Sequence, residues 1–255
     1  MYYFASDVHL GAGDEHKSRC TERRFVKWLD EVSHDAEAIF LVGDIFDFWW
    51  EYSKVIPKGF TRTLGKLSEL SDKGVKIYFF IGNHDMWCYD YLTRECGIEI
   101  YRKPSVVEIG GKKLHLAHGD NMNVKGQPML RLMNAFFRST TARWLFSWLV
   151  HPDLALKFGS WWSGKSRKQN QSRSKKPMTP QSLNFLLDYA REHYAHNGDT
   201  EGYIFGHMHY PYELVEGDFR VLFLSHWAGR EAWYAVLDGD EQLQLKTFTI
   251  DETVS

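Results

Sequence analysis

The sequence predicts an α/β domain carrying an inserted helical segment, and three observations lead there. Short apolar runs alternate with stretches whose apolar residues recur at helical spacing. Several of those runs end in a glycine or a short polar loop that bears Asp, Asn or His. Between Asn121 and Pro180 the composition changes abruptly, to aromatic helices followed by a basic strip. The 255 residues, 44% of them hydrophobic, suit one large domain with an insertion better than two independent domains. We assign 1–255 to that single domain and about 121–180 to the insertion, read as a lid.

The net charge of −2 gives no global argument for nucleic acid. The 3 cysteines make neither a disulfide framework nor a zinc-finger spacing, and their odd number suits a reducing compartment, so a cytoplasmic location is expected. MYYFASDVHL lacks the basic and apolar regions of a signal peptide, and no apolar run reaches the ~18 to 20 residues that span a bilayer.

Tyr2 to Ala5 reads as the first strand and delivers Asp7 and His9. Two residues apart in an extended segment, these side chains point to one side. Thr21 to Val32 is a crossover helix on Phe25, Trp28, Leu29 and Val32, with Thr21 as its cap. Ile39 to Val42 is a buried strand; Gly43 then turns the backbone and Asp44 stands at the carboxyl end, where open α/β sheets place their chemistry. A helix over 61–72 leads to a strand from Val75 to Ile81, which delivers Asn83, His84 and Asp85. The stretch from Gly97 to Val107 is less regular. Lys113 to Ala117 is a strand ending in His118, Gly119 and Asp120. After the insertion, Gln181 to His196 is a helix, and Tyr203 to Phe205 leads to His207 and His209. Val221 to Leu224 and Trp233 to Leu237 close the sheet.

Five strand ends thus offer Asp7 and His9, Asp44, Asn83 and His84, His118, and His207 and His209. Carboxylate, imidazole and amide oxygen suit Mn²⁺, Fe, Zn²⁺ or Mg²⁺, and no Cys joins them. With His84 set aside, seven ligands exceed what one ion needs when it must also keep a position open for substrate. Two ions sharing a carboxylate fit the number. His16, His34, His151, His193 and His196 lie outside the motifs and read as structural or solvated. His115 stays unassigned, and His226 is a candidate for the site wall.

The motifs D-x-H, G-D-x-x-D, G-N-H-D, H-G-D and G-H-x-H, from Asp7 to His209, resemble in order and spacing the calcineurin-like metallophosphoesterases. That resemblance implies a β-sandwich of two mixed sheets flanked by helices. It implies one ion on Asp7, His9, Asp44 and His209, a second on Asp44, Asn83, His118 and His207, and Asp44 as the bridge. Manganese is the foremost expectation for both. It places His84, with Asp85 beside it, as the catalytic pair that donates a proton or hydrogen bond to the phosphoryl or leaving oxygen. Asp47 and Asp120 are expected to orient ligands from behind.

In the insertion, Met129 to Phe137 and Ala142 to Phe158 read as helices, the second rich in Trp, Leu and Phe. Lys165, Arg167, Lys168, Arg173, Lys175 and Lys176 follow without an acidic residue between them. Apolar helices beside a cationic strip suit an amphiphile with acyl and phosphate parts, or an anionic membrane surface. A nearer resemblance is to the UDP-2,3-diacylglucosamine diphosphatases of lipid A synthesis, carried by Ser6 to Leu10, the Trp-rich stretch after Asp47, the insertion's position and Trp227. Ser166, Asn170 and Arg173 match a Ser-x-x-x-Asn-x-x-Lys substrate pattern of that family, Arg standing for Lys. The resemblance also implies substrate contacts for Asn83, His84 and His207. Two positions depart: the best-known members have Arg at His84 and an acidic residue at Gly126. The implied reaction is cleavage of UDP-2,3-diacylglucosamine to UMP and 2,3-diacylglucosamine 1-phosphate at the cytoplasmic face of the inner membrane, by a peripheral protein that binds no nucleic acid. The alternative is a metallophosphodiesterase or phosphatase acting on another nucleotide, a nucleic acid or a phospholipid headgroup.

Overall fold

Three parallel strands, each buried on both faces, form the frame for the strand-end motifs. The computed structural model describes residues 1–120, 122, 135, 137, 139–173, 180–229, 231–239 and 242–249; the side chains of 160, 165–173 and 180 fall outside that description. Strands β1 (Tyr2–Ala5), β2 (Ala38–Val42) and β3 (Lys76–Phe80) run parallel, with Ala5 opposite Leu41 and Val42 opposite Phe80. β2 is apolar at every position because Ile39 and Leu41 face one core while Ala38, Phe40 and Val42 face another.

The sheet is extended by β4 (Glu99–Tyr101) at one edge and by β10 (Glu231–Leu237) and β11 (Leu243–Thr249) at the other, in the order β11-β10-β1-β2-β3-β4. The second sheet has the order β5-β6-β7-β9-β8 and is built from β5 (Ser105–Ile109), β6 (Lys112–Ala117), β7 (Gly202–Phe205), β8 (Tyr212–Glu216) and β9 (Phe219–Phe223). Both sheets are mixed: β10 is antiparallel to β1 beside the parallel β1, β2 and β3, and β5 and β8 are antiparallel to β6 and β9 beside the parallel β6, β7 and β9. Phe4, Phe40 and Phe80 of the first sheet meet Leu116, Ile204 and Leu222 of the second in the middle layer. Helices cover the outer faces, α1 (Glu15–Val32), α2 (Thr61–Asp72) and α3 (Tyr91–Cys96) on the first sheet and α6 (Asn184–Asn197) on the second. The expected sandwich of two mixed sheets flanked by helices is therefore the observed architecture.

Two helix boundaries correct the sequence reading. α1 begins at Glu15, six residues before Thr21, because Asp14 caps it by accepting a 2.8 Å hydrogen bond from the Lys17 amide. The helix read across Ala142 to Phe158 is two helices, α4 (Thr140–Leu149) and α5 (Pro152–Arg173). Val150 is extended at φ −106° and ψ 122°, and Pro152 opens α5 at the position where its missing N–H costs nothing. Of the helix read at Met129 to Phe137 only residues 135 and 137 are described, and Gly126, Lys175 and Lys176 lie outside the described residues. The sequence reading assigns no element to β4, β5, β8, β11 or α3, the irregular stretch from Gly97 to Val107 holding most of β4 and β5.

α4 and α5 rest on the loops that follow β2 and β3. Trp50 Nε1 donates to Ser147 Oγ at 3.2 Å, and the Trp50 ring packs at a 47° tilt against Phe146, 4.5 Å between centroids; Tyr52 donates to the Val150 carbonyl at 3.0 Å. No helix among the described residues is long and apolar enough to cross a membrane.

Candidate metal centre

Asp7, His9, Asp44, His207 and His209 all have left-handed backbone, with φ between 50° and 67°. A side chain there costs on the order of 1 kcal/mol or more, and such residues persist where packing over-determines them. All five stand just beyond the carboxyl ends of β1, β2 or β7. Asp7 and His9 do reach one cluster, as expected, but through this tight turn and not along an extended strand: His9 Nε2 lies 3.8 Å from Asp7 Oδ1. Gly43, at φ 82°, leaves the space that His118 fills, because a Cβ there would stand 2.6 Å from its Nδ1.

Asp7 and Asp44 each have one oxygen anchored by the protein and the other turned to imidazoles. Asp7 Oδ2 accepts from Ser6 Oγ at 2.8 Å and from the His207 amide at 2.9 Å, while Oδ1 is 3.0 Å from His209 Nε2. Asp44 Oδ1 accepts from the His84 amide at 2.9 Å. Its Oδ2 faces His118 Nε2 at 3.2 Å, and His9 and His84 Nε2 at 3.9 Å each. Asp44 thereby belongs to two donor groups, one with His9 and His84 and one with His118 and His207, next to a third of Asp7, His9 and His209.

These atoms fit a cation. Ligands that sit ~2.1 Å from one ion lie about 3 Å from each other, and His9 Nε2 to His209 Nε2 is 3.1 Å. His118 Nδ1 lies 3.0 Å from the Val42 carbonyl, which only accepts, so Nδ1 carries the hydrogen and Nε2 is free to ligate. Asn83 Oδ1 is buried and meets no hydrogen-bond partner among the described residues, an arrangement costly unless an ion completes it. The seven motif residues stand together at one end of the sandwich, beyond the ends of β1, β2, β3, β6 and β7.

The electrostatics agree. Burial lowers His9 to about 3 and His207 to about 4, so both rings stay neutral donors. Burial pushes Asp7 and Asp44 up, but His209 and His118 outweigh it and hold both carboxylates low. His118 moves the other way: burial lowers it, and the Asp44 and Asp7 charges raise it well above the ordinary range.

The other expected residues divide. His84 lines the cleft, and its Nδ1 is 2.7 Å from the Asp47 carbonyl. Asp85 is fully buried and faces backbone, accepting from the Ile45, Phe46 and Gly82 amides at 2.8, 3.3 and 2.8 Å. It ties the β2 and β3 loops together, and burial raises it to about 7 with the Asp44 charge adding to the rise. Asp47 Oδ1 is 3.4 Å from His9 Nδ1, and Asp120 lines the cleft beside His207. His226 packs 5.6 Å from His209, ring to ring. The side chains of Ser166, Asn170 and Arg173 lie outside the described residues. Ser163 was not singled out from the sequence, yet its Oγ is 2.6 Å from His84 Nδ1 across 79 positions of chain, a contact no local pattern signals.

A cavity of about 380 Å³ adjoins this centre, lined by Asn83, His84 and His207 together with Phe48, Trp87, Phe146 and Trp162. Residues 2–211 match the calcineurin-like phosphoesterase family, and the chain belongs to it. With its clustered His and Asp donors around a divalent-metal site, it is a metal-dependent hydrolase of that family. A UDP-2,3-diacylglucosamine hydrolase of Porphyromonas gingivalis is 40% identical over 93% of this chain and 94% of its own length. One from Pseudomonas aeruginosa is 27% identical over 94% and 96%. A solved archaeal phosphodiesterase aligns over 97% of this chain and 99% of its own, at 14% identity and a TM-score of 0.48.

Proposed function

We propose that this protein hydrolyses the pyrophosphate of UDP-2,3-diacylglucosamine, giving UMP and 2,3-diacylglucosamine 1-phosphate, at a membrane surface on the cytoplasmic side. The observation that carries the reading is the cavity, which polar metal donors line together with aromatic walls from the β2 and β3 loops and from α4 and α5. A nucleotide with two acyl chains needs that combination, and a soluble nucleotide does not. Relatives bearing that activity in their names match over nearly the whole chain.

In this reading Asp7, His9, Asp44 and His209 hold one ion, and Asp44, Asn83, His118 and His207 a second, manganese foremost. Held by these residues, such a pair would supply Lewis-acid stabilisation of phosphoryl charge and would lower the pKa of a bound water. Water adds to one phosphorus as the bridging P–O bond breaks, so one phosphate leaves with the uridine and the other with the sugar. His84 keeps Nδ1 on the Asp47 carbonyl and is placed to donate a proton or a hydrogen bond to a phosphoryl or leaving oxygen. Asn83 and His207 also border the substrate. Asp85 holds the loops that carry Asp44 and Asn83. To the same reading belong the lid role of 121–180 and the substrate contacts of Ser166, Asn170 and Arg173.

The outer face of the insertion supports the membrane reading. α4 exposes Trp144 at 66% and Trp148 at 74%, and α5 exposes Leu154 and Trp161, while their other faces rest on the scaffold. A helix apolar on both sides has a second apolar neighbour.

The decisive assay supplies UDP-2,3-diacylglucosamine with Mn²⁺ and measures UMP. Turnover is expected. No UMP release from a preparation that hydrolyses a generic phosphodiester well would sink the lipid assignment.

A further inference from the structure

One hydroxyl joins the insertion to the metal centre. Ser163 is buried in α5, one turn after Gly159, where a Cβ would strike the Phe48 ring. Ala155, also buried, lies one turn earlier, so Ala155, Gly159 and Ser163 form the face by which α5 is seated on the loop after β2. From that seat Ser163 Oγ lies 2.8 Å from the Asp47 carbonyl and 2.6 Å from His84 Nδ1, and His84 Nδ1 is itself 2.7 Å from the same carbonyl.

Donor and acceptor roles follow. The Asp47 carbonyl can only accept, so Ser163 gives it the O–H and His84 Nδ1 carries a hydrogen shared between the carbonyl and the Ser163 oxygen. A single acceptor would leave the ring free to pivot about that one bond. Two acceptors from different elements fix its plane and leave Nε2 on the cleft side, 3.9 Å from Asp44 Oδ2.

We propose that Ser163 is a positioning residue through which the seated α5 helix fixes the His84 ring, so that the insertion takes part in the phosphoryl chemistry as well as in housing the lipid. This rests on the reading that His84 meets the phosphoryl group. It predicts that Ser163 matters even for a substrate with no acyl chain, because the ring it orients acts at the phosphorus.

The test compares wild type, Ser163→Ala, His84→Ala and the double variant on bis(4-nitrophenyl) phosphate with Mn²⁺. Ser163→Ala is expected to lower kcat about tenfold, in the range seen when groups behind a functional ligand are removed, with KM held within about twofold. The double variant is expected to match His84→Ala. In the metal-free protein, the His84 Nδ1–H proton resonance is expected downfield and slow to exchange in wild type, and lost to exchange in Ser163→Ala. Wild-type turnover of the soluble diester by Ser163→Ala, together with an unchanged Nδ1–H resonance, overturns the proposal while a defective His84→Ala leaves the reading of His84 standing. Wild-type turnover by His84→Ala overturns both.

Discussion

Asp44 is the residue on which the centre depends: one oxygen is fixed by the His84 amide and the other looks at His118, His9 and His84. Removing one of the ligands expected to share an ion with it tests the assignment. Asn83→Ala or His118→Ala is expected to lower kcat by more than about a hundredfold, beyond the 10 to 100-fold typical of residues behind the ligands, and elemental analysis of the purified variants is expected to show lost metal. Full activity at full metal content would remove these residues from the ligand set. Protonation gives an independent check. His118 is raised well above its ordinary value and His209 is raised from its own, in each case because the neighbouring carboxylate charges outweigh burial. At neutral pH the metal-free rings hold protons that a ligating nitrogen must give up. Mn²⁺ binding is therefore expected to release about one to two protons at pH 7 and to weaken as pH falls. Calorimetry in buffers of different ionisation enthalpy reads that release directly, and zero release would contradict the assignment.

At the scale of elements, the legible and the illegible parts have different physical origins. The strand ends could be read because a buried strand, its turn glycine and its ligand-type residue are adjacent in sequence, as in Ile39 to Asp44. The break between α4 and α5 was written in Pro152, and the cap at Asp14 in its spacing to Lys17, but Thr21 and the apolar run after Ala142 offered competing signals. β8 and β11 flank their sheets, and part of each strand is exposed, so neither shows a continuous apolar run. The left-handed backbone of five site residues left no local mark, since it is imposed by the surrounding loops. The outer face of α4 leads to a prediction at this scale. Trp144 and Trp148 stack in parallel, 6.4 Å apart, and stand in solvent. Replacing both with Glu is expected to cut flotation with vesicles containing anionic lipid at least about fivefold, through lost aromatic burial and added repulsion. Hydrolysis of a soluble diester should remain near wild type, because neither side chain lines the cavity at the metals. Undiminished flotation would leave this face without its membrane role.

The whole molecule is a stack of helices, two sheets and a further helix, and His115 shows how that layering couples stability to pH. It lies on β6 beneath α6, 2% exposed, between Tyr189, His193 and Tyr203. Tyr189 Oη is 3.1 Å from its Nε2. Burial lowers this ring from 6.5 to about 4, and the neighbouring His193 adds to the shift. The unfolded chain therefore takes up a proton first as pH falls. The folded state has the full benefit above pH ~6.5, loses it progressively down to about 4, and loses no more below. That interval is worth about 3 kcal/mol of unfolding free energy at ~1.4 kcal/mol per pH unit. The histidines of the metal centre also titrate, so the useful quantity is a difference: wild type against His115→Phe, each saturated with Mn²⁺, by urea unfolding at pH 7.5, 6 and 5. Phe keeps the ring contacts and gives up the Tyr189 hydrogen bond, so it is expected to be the less stable protein at pH 7.5. As pH falls to 5 the wild type should lose stability faster than the variant, and the two curves should converge or cross. Parallel curves would mean that His115 does not resist protonation, and that the packing of α6 on the second sheet is looser than its buried ring implies.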